Sequence, residues 1–213
     1  MAKSPAPAAA SAEPGEVAQD SRRAQMLEAA AELIAERGLA RTRIADVAAR
    51  VGISPALVVY YFQTKEALLI AALRDSETGF YAAAEGLLRN QGSLRDRLET
   101  LVELTFSEES QGEVRGQWGL WFDLWNEAFR HPEVAADRRA LDEQWRGLIG
   151  RIVRAGIDEG QVAADLDVDT FSVTWAALLD GLSVQVALDD PVVTRDRAIG
   201  IALDFARREL GLV

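Results

Sequence analysis

The sequence predicts an all-α fold, and three observations carry that prediction. From Arg22 onward apolar residues recur with the three-to-four-residue period of a helix, while runs that alternate every second residue are few. After the first twenty residues, proline is confined to Pro55, Pro132 and Pro191. The gaps between periodic stretches fall on turn formers: Asn90-Gln91-Gly92, Ser110-Gln111-Gly112, His131-Pro132, Glu159-Gly160 and Asp189-Asp190-Pro191. About nine helices result, three short ones followed by six longer ones.

Residues 1–20 are rich in Ala and Pro, with no large apolar side chain before Val17. Such a stretch cannot offset its ordering entropy and is expected to be a disordered tail. The first helix spans residues 21–37, with Met26, Ala30, Leu33 and Ile34 on one face and Gly38 as its stop. The second follows Thr42, whose hydroxyl can cap it, and buries Ile44, Val47, Ala48 and Val51 before Gly52. Ser54-Pro55 opens the third, residues 55–62, with serine at the cap and proline where no amide is needed. A long fourth helix, 64–88, starts at Thr64-Lys65-Glu66 and is weakened at Gly79 and Gly86. The remaining helices are expected over 93–108, 113–129, 132–159, 167–188 and 194–210. The domain division that follows is tail 1–20, head 21–66 and body 67–213.

Composition narrows the chemistry. The 213 residues contain no cysteine and one histidine, His131. Disulfide scaffolds, thiolate or multi-histidine metal sites and cysteine nucleophiles are excluded, and neither metal nor cofactor is expected. No stretch of 18 apolar residues occurs and no hydrophobic signal core opens the chain, so a cytoplasmic protein without membrane contact is expected. The net charge of −11 argues against a general nucleic-acid coat. Yet the charge is divided: residues 21–65 carry seven Lys/Arg against four acids, a net of +3, and the remainder carries −14.

That basic stretch is where two short helices are joined by Gly52-Ile53-Ser54, the spacing of a helix-turn-helix, whose second helix enters the major groove of DNA. In the third helix Val58, Tyr61 and Phe62 fall on the packing face, leaving Pro55, Ala56, Leu57 and Tyr60 toward a groove. The first three of these offer apolar contact to thymine methyls rather than bidentate hydrogen bonds. Thr42, Arg43, Tyr60 and Lys65 suit phosphates, Arg43 alternatively a guanine edge, and the helix starts at Thr42 and Ser54 offer free amides.

The run Arg23-x-x-Met26-Leu27-x-Ala29-Ala30-x-x-Leu33-Ile34-x-x-x-Gly38, then Thr42-Arg43-Ile44-Ala45-Asp46-Val47-Ala48-x-x-Val51-Gly52-Ile53-Ser54, then Val58-Val59-Tyr60-Tyr61-Phe62-x-x-Lys65-Glu66-x-Leu68, resembles the N-terminal domain of TetR-family transcriptional regulators. Where that family usually carries a tyrosine this chain has Val59, and the two tyrosines follow it. The resemblance implies phosphate contacts from Tyr60 and Tyr61, a dimer bundle made by the last two helices of each subunit, and a ligand cavity among the middle helices.

Within the body, residues 113–129 carry Trp118, Trp121, Phe122, Trp125 and Phe129, with Asp123 and Glu127 one turn apart. Three of the five tryptophans lie within eight residues. Two readings stay open: simple core filling, or an aromatic and acidic wall for a cationic or amphiphilic effector formed by Trp118, Trp121, Phe122, Asp123, Trp125, Glu127 and the later Trp175. Trp121-Phe122, Trp125-x-Glu127-Ala128, Trp145-Arg146 and Leu179-Asp180-Gly181-Leu182 resemble the C-terminal domain of choline-responsive and related repressors. The helix at 167–188 is apolar on more than one side, which calls for a partner beyond its own core and suits a homodimer. The expected function is a ligand-responsive DNA-binding regulator, a repressor released from a palindromic double-stranded DNA operator when a small molecule binds the body. No residue is assigned a catalytic role. The rival readings are an all-α enzyme working through Asp and Glu, and a helical adaptor that does not bind DNA.

Overall fold

The structure, a computed structural model, describes residues 14–89, 92–106 and 108–212. Every regular element among them is helical: α1 Pro14–Arg37, a 3-10 turn Leu39–Arg41, α2 Ile44–Val51, α3 Pro55–Phe62, α4 Lys65–Ser76, α5 Thr78–Arg89, α6 Leu94–Thr105, α7 Glu108–Arg130, α8 Pro132–Asp158, α9 Val168–Ala187 and α10 Arg195–Leu210. The all-α prediction and the three-helix head are borne out.

Three boundaries differ from the sequence expectation. Helix α1 begins at Pro14, so residues 14–20 of the expected tail are helical, and residues 1–13 lie outside the described residues. Proline is favourable at a helix start. The single fourth helix is two, separated at Glu77 rather than at either glycine. The gap expected at 110–112 is helical within α7, and the chain turns earlier, where buried Phe106 ends α6 outside the helical region at φ −111°, ψ 20°. The Phe106 side chain is packed in the body's core.

Two apolar clusters organise the molecule. One lies in the body, where α6, α8, α9 and α10 enclose Leu98, Leu101, Ile149, Ile152, Phe171, Trp175, Leu179 and Ala202. The other joins Met26, Leu33 and Ile34 of α1 to Val47, Val58 and Phe62 of the head. It continues into Leu68, Leu69 and Leu73 of α4, Leu120 and Leu124 of α7, and Val134 and Leu141 of α8. The head is therefore packed on the body through a shared core, with α1 wedged between α4 and α7.

Candidate nucleic-acid interface and effector pocket

Helices α2 and α3 meet at 113° across Gly52, Ile53 and Ser54, within the range of a helix-turn-helix. Gly52 makes the turn possible: it sits at φ 74°, ψ 34°, where an L side chain is strained, and its amide bonds the Ala48 and Ala49 carbonyls. Ser54 caps α3 by accepting the Leu57 amide at 3.3 Å. Val58 and Phe62 are buried and Tyr61 half-buried, so the inward face of α3 is the one expected. Pro55 and Ala56 are exposed, Leu57 is half-buried against the head's core, and Tyr60 is 78% exposed with its ring edge-on to Tyr61 at 5.5 Å.

The basic side chains divide into braces and exposed cations. Arg50 reaches Glu32 at 2.7 Å and Glu36 at 3.5 Å on α1, and Arg37 reaches Asp46 at 2.9 Å. Arg41 and Arg43 are exposed and share a surface groove with Arg37, Ala40 and Asp46. Arg41 is an addition to the sequence-derived set. The signal for it is that the chain segment entering α2 carries two arginines flanking Thr42.

Thr42 requires a correction. It is 2% exposed, and its hydroxyl donates to the Gly38 carbonyl at 2.9 Å and approaches that of Leu33 at 3.2 Å. Arg43, not Thr42, stands at the cap position of α2, and Asp46 accepts the Arg43 amide at 3.0 Å. A threonine buried in the head's core can bond an inner carbonyl at less cost than it can reach an external phosphate. Lys65 also works inward with one of its three N–H donors, which meets the Leu39 carbonyl at 2.9 Å.

The aromatic stretch of α7 splits in the same way. Trp118, Phe122 and Trp125 form a half-buried cluster with ring separations of 5.8 to 6.0 Å. Trp121 lies 5.8 Å from Trp125 and donates its indole N–H to Glu77 Oε1 at 3.0 Å. Asp123 is taken up by the head: its Oδ2 accepts the Leu39 amide at 2.7 Å. Glu127 lies 3.4 Å from the His131 imidazole at the start of α8. Trp175 is fully buried and donates to the Ala202 carbonyl of α10 at 3.0 Å, which makes it core of the α9–α10 pair rather than a free ligand wall.

Around Trp121 the structure gathers residues that the sequence expectation did not assign to a ligand. Glu77, in the break between α4 and α5, has its carboxyl pushed up to about 7 by burial and by the Asp180 charge, against the Trp121 hydrogen bond. Asp180 of α9 is pushed up to about 6 by burial and by Asp142, against Trp145, Arg138 and Arg146. Burial and the Glu77 and Asp180 charges also raise the Tyr81 hydroxyl. Phe80 faces the Trp145 ring at 5.7 Å and Tyr81 at 5.4 Å. Glu77 Oε2 is buried without a hydrogen-bond partner among the described residues. A cavity of about 330 Å³ opens beside them between α4–α5 and α8, with Arg74, Glu77, Tyr81, Leu141 and Gln144 in its wall. A larger groove of about 580 Å³ nearer the head is bounded by charges of both signs, among them Arg23, Arg74, Glu66 and Asp137, and has no aromatic wall. The sequence held a signal for the smaller cavity in Glu77-x-x-Phe80-Tyr81, an acid one helical turn from two aromatics.

Among the described residues no single helix is long and apolar enough to cross a membrane. The profile "Bacterial regulatory proteins, tetR family" matches residues 26–72, and "BetI-type transcriptional repressor, C-terminal" matches residues 94–211. The chain is 28% identical over 199 residues to the HTH-type transcriptional regulator BetI of Escherichia coli K12, covering 90% of this chain and 95% of that one. It is 26% identical over 192 residues to BetI of Rhizobium meliloti, covering 89% of each. A transcriptional regulator from Saccharomonospora viridis, solved in complex with choline, superposes with a TM-score of 0.74 at 31% identity over 89% of this chain and 96% of that one. With the helix-turn-helix head and the body from α6 to α10 both matched, the chain is a transcriptional regulator and belongs to the TetR family with a BetI-type C-terminal domain.

Proposed function

We propose that this regulator is a homodimeric repressor that leaves a palindromic operator when a small organic cation occupies the cavity beside Glu77. The single observation that carries the cation is the paired burial of Glu77 and Asp180 among Trp121, Trp145, Phe80 and Tyr81. Burial raises the pKa values of both carboxyls, at Asp180 against the partial compensation of Arg138 and Arg146, and a bound cation adds the compensation that burial leaves lacking. Tyr81, the aromatic in the cavity's wall, adds the attraction that quaternary ammonium groups receive from ring quadrupoles. The cavity's size falls within the usual span for small-molecule sites. The choline-bound relative supports a quaternary ammonium as the first compound to try.

The dimer reading is supported by α9, which exposes Val173, Ala177, Gly181 and Leu188 on the face opposite its buried Trp175, Leu179 and Leu182. Small and apolar residues in one stripe let a second helix approach closely, and Ile201 of α10 extends the stripe. Two heads related by a twofold axis would then read half-sites about one DNA turn apart. Tyr60, Tyr61, Arg43, Arg41, Lys65 and the α3 start at Ser54 are the phosphate contacts in this reading, and Pro55, Ala56 and Leu57 approach base methyls.

Selection of bound DNA from random duplexes tests the proposal, followed by titration of the complex with choline. The expected result is an inverted-repeat site from which choline releases the protein. Recovery of no preferred site would contradict the DNA reading, and a recovered site unaffected by choline and related quaternary amines would contradict the cation.

A further inference from the structure

We infer that Asp123 is a positioning residue for operator binding: its hydrogen bond to the Leu39 amide sets the orientation of the reading head on the body and ties that orientation to the occupant of the cavity. The coupling half of this inference rests on the effector reading above, whereas the positioning half does not.

Leu39 is the point where the head is held. Its side chain is buried, its amide donates to Asp123 Oδ2 at 2.7 Å, and its carbonyl receives Lys65 Nζ at 2.9 Å and the Thr42 amide at 3.1 Å. Gly38 makes this possible by adopting φ 81°, ψ 157°, a conformation essentially reserved for glycine, which turns the Leu39 amide toward α7. Thr42 locks the other end of the turn through the Gly38 carbonyl. Helix α2 begins at Ile44, so a shift of the Leu39 peptide reaches the DNA-facing segment within five residues.

Asp123 sits two residues beyond Trp121 on one uninterrupted helix, and Trp121 holds Glu77 at the cavity. Helix α4, unbroken from Ser76 beside Glu77 to Lys65, reaches the same turn from the other side, where Lys65 Nζ meets the Leu39 carbonyl. A displacement of Glu77 or Trp121 by a bound cation is therefore passed by α7 as a rigid rod to Asp123 and on to the turn before α2.

The test uses the full-length protein, its selected operator, choline as probe, and the variants Asp123→Ala and Asp123→Asn. Ligand-free Asp123→Ala should bind operator at least about ten-fold more weakly with an unchanged salt slope, since no phosphate contact is removed. Its choline affinity, read by tryptophan fluorescence without DNA, should stay at the wild-type value. Choline should change its residual operator affinity by less than about three-fold, a loss of coupling. Asp123→Asn keeps an oxygen acceptor and should restore both properties. Wild-type operator affinity in the Ala variant would overturn the positioning role. Lost choline binding with operator affinity intact would mark Asp123 as a ligand contact and overturn it too. Should the Ala variant fail to fold, hydrogen exchange of the Leu39 amide in the wild-type chain decides: it should be protected, and exchange faster with choline bound. Equal exchange rates would overturn the coupling. If choline does not bind the wild-type protein, the cation reading fails, and the two variants on DNA alone still decide the positioning role.

Discussion

A carboxyl that is buried keeps its proton nearer to neutral pH, and Glu77 has that character. Its folded-state value, about 7 against the usual 4.5, means that the folded protein holds a proton that the unfolded chain has released between those values. The stabilisation is complete below 4.5 and is lost as pH rises to about 7, by an amount on the order of 3 kcal/mol at most. Glu77→Gln should flatten urea-unfolding stability across that window. The same titration predicts that choline binds more tightly at about pH 8 than at about pH 6 in the wild type, and with no such difference in the Gln variant. Calorimetry at the two pH values checks this. On the head, Tyr60→Ala should weaken binding to all DNA sequences alike, and Arg43→Ala should lower the salt slope by about 1, both measured by operator titration at several salt concentrations. If Arg43 instead reads a guanine, its loss relaxes preference at one base pair by about 1–3 kcal/mol.

The turn from Gly38 to Arg43 is held by hydrogen bonds to Asp123, Lys65 and Thr42. Gly38→Ala would force an alanine into a glycine-only conformation, at a cost of about 1–3 kcal/mol, and should lower the thermal midpoint and the operator affinity together. A thermal melt and a DNA titration on the same preparation check both. Elements with local signals were legible in the sequence: α3 is announced by Ser54-Pro55, α2 is ended by Gly52, and the inward set Val58, Tyr61 and Phe62 follows from spacing. What was not legible depended on contacts between elements. Thr42 looks like a cap from sequence because its hydroxyl suits one, but its burial beneath the Leu33 and Gly38 carbonyls decides otherwise. Asp123 and Trp121 are two residues apart on one helix and face different partners, Leu39 and Glu77, which spacing alone does not reveal. Glu77 reads as one more solvated helical acid until α7 and α9 are folded over it.

At the level of the whole molecule the charge division becomes directional. A head of +3 on a remainder of −14 makes DNA approach the basic face and avoid the rest. The shared core of α1, α4, α7 and α8 joins the two parts, so the head cannot tilt without moving α7. The proposed dimerisation through α9 and α10 predicts that Val173→Lys yields a monomer by sedimentation and loses most operator affinity, because the exposed stripe it disrupts lies on the opposite face from the buried Trp175. The central claim is that one equilibrium links cavity and operator, and linkage makes the two effects equal. The direct test is to measure operator affinity with and without saturating choline, and choline affinity with and without operator, in one buffer. The same factor in both directions, between about five-fold and 150-fold, is the predicted result. Tight choline binding that leaves operator affinity unchanged would contradict it.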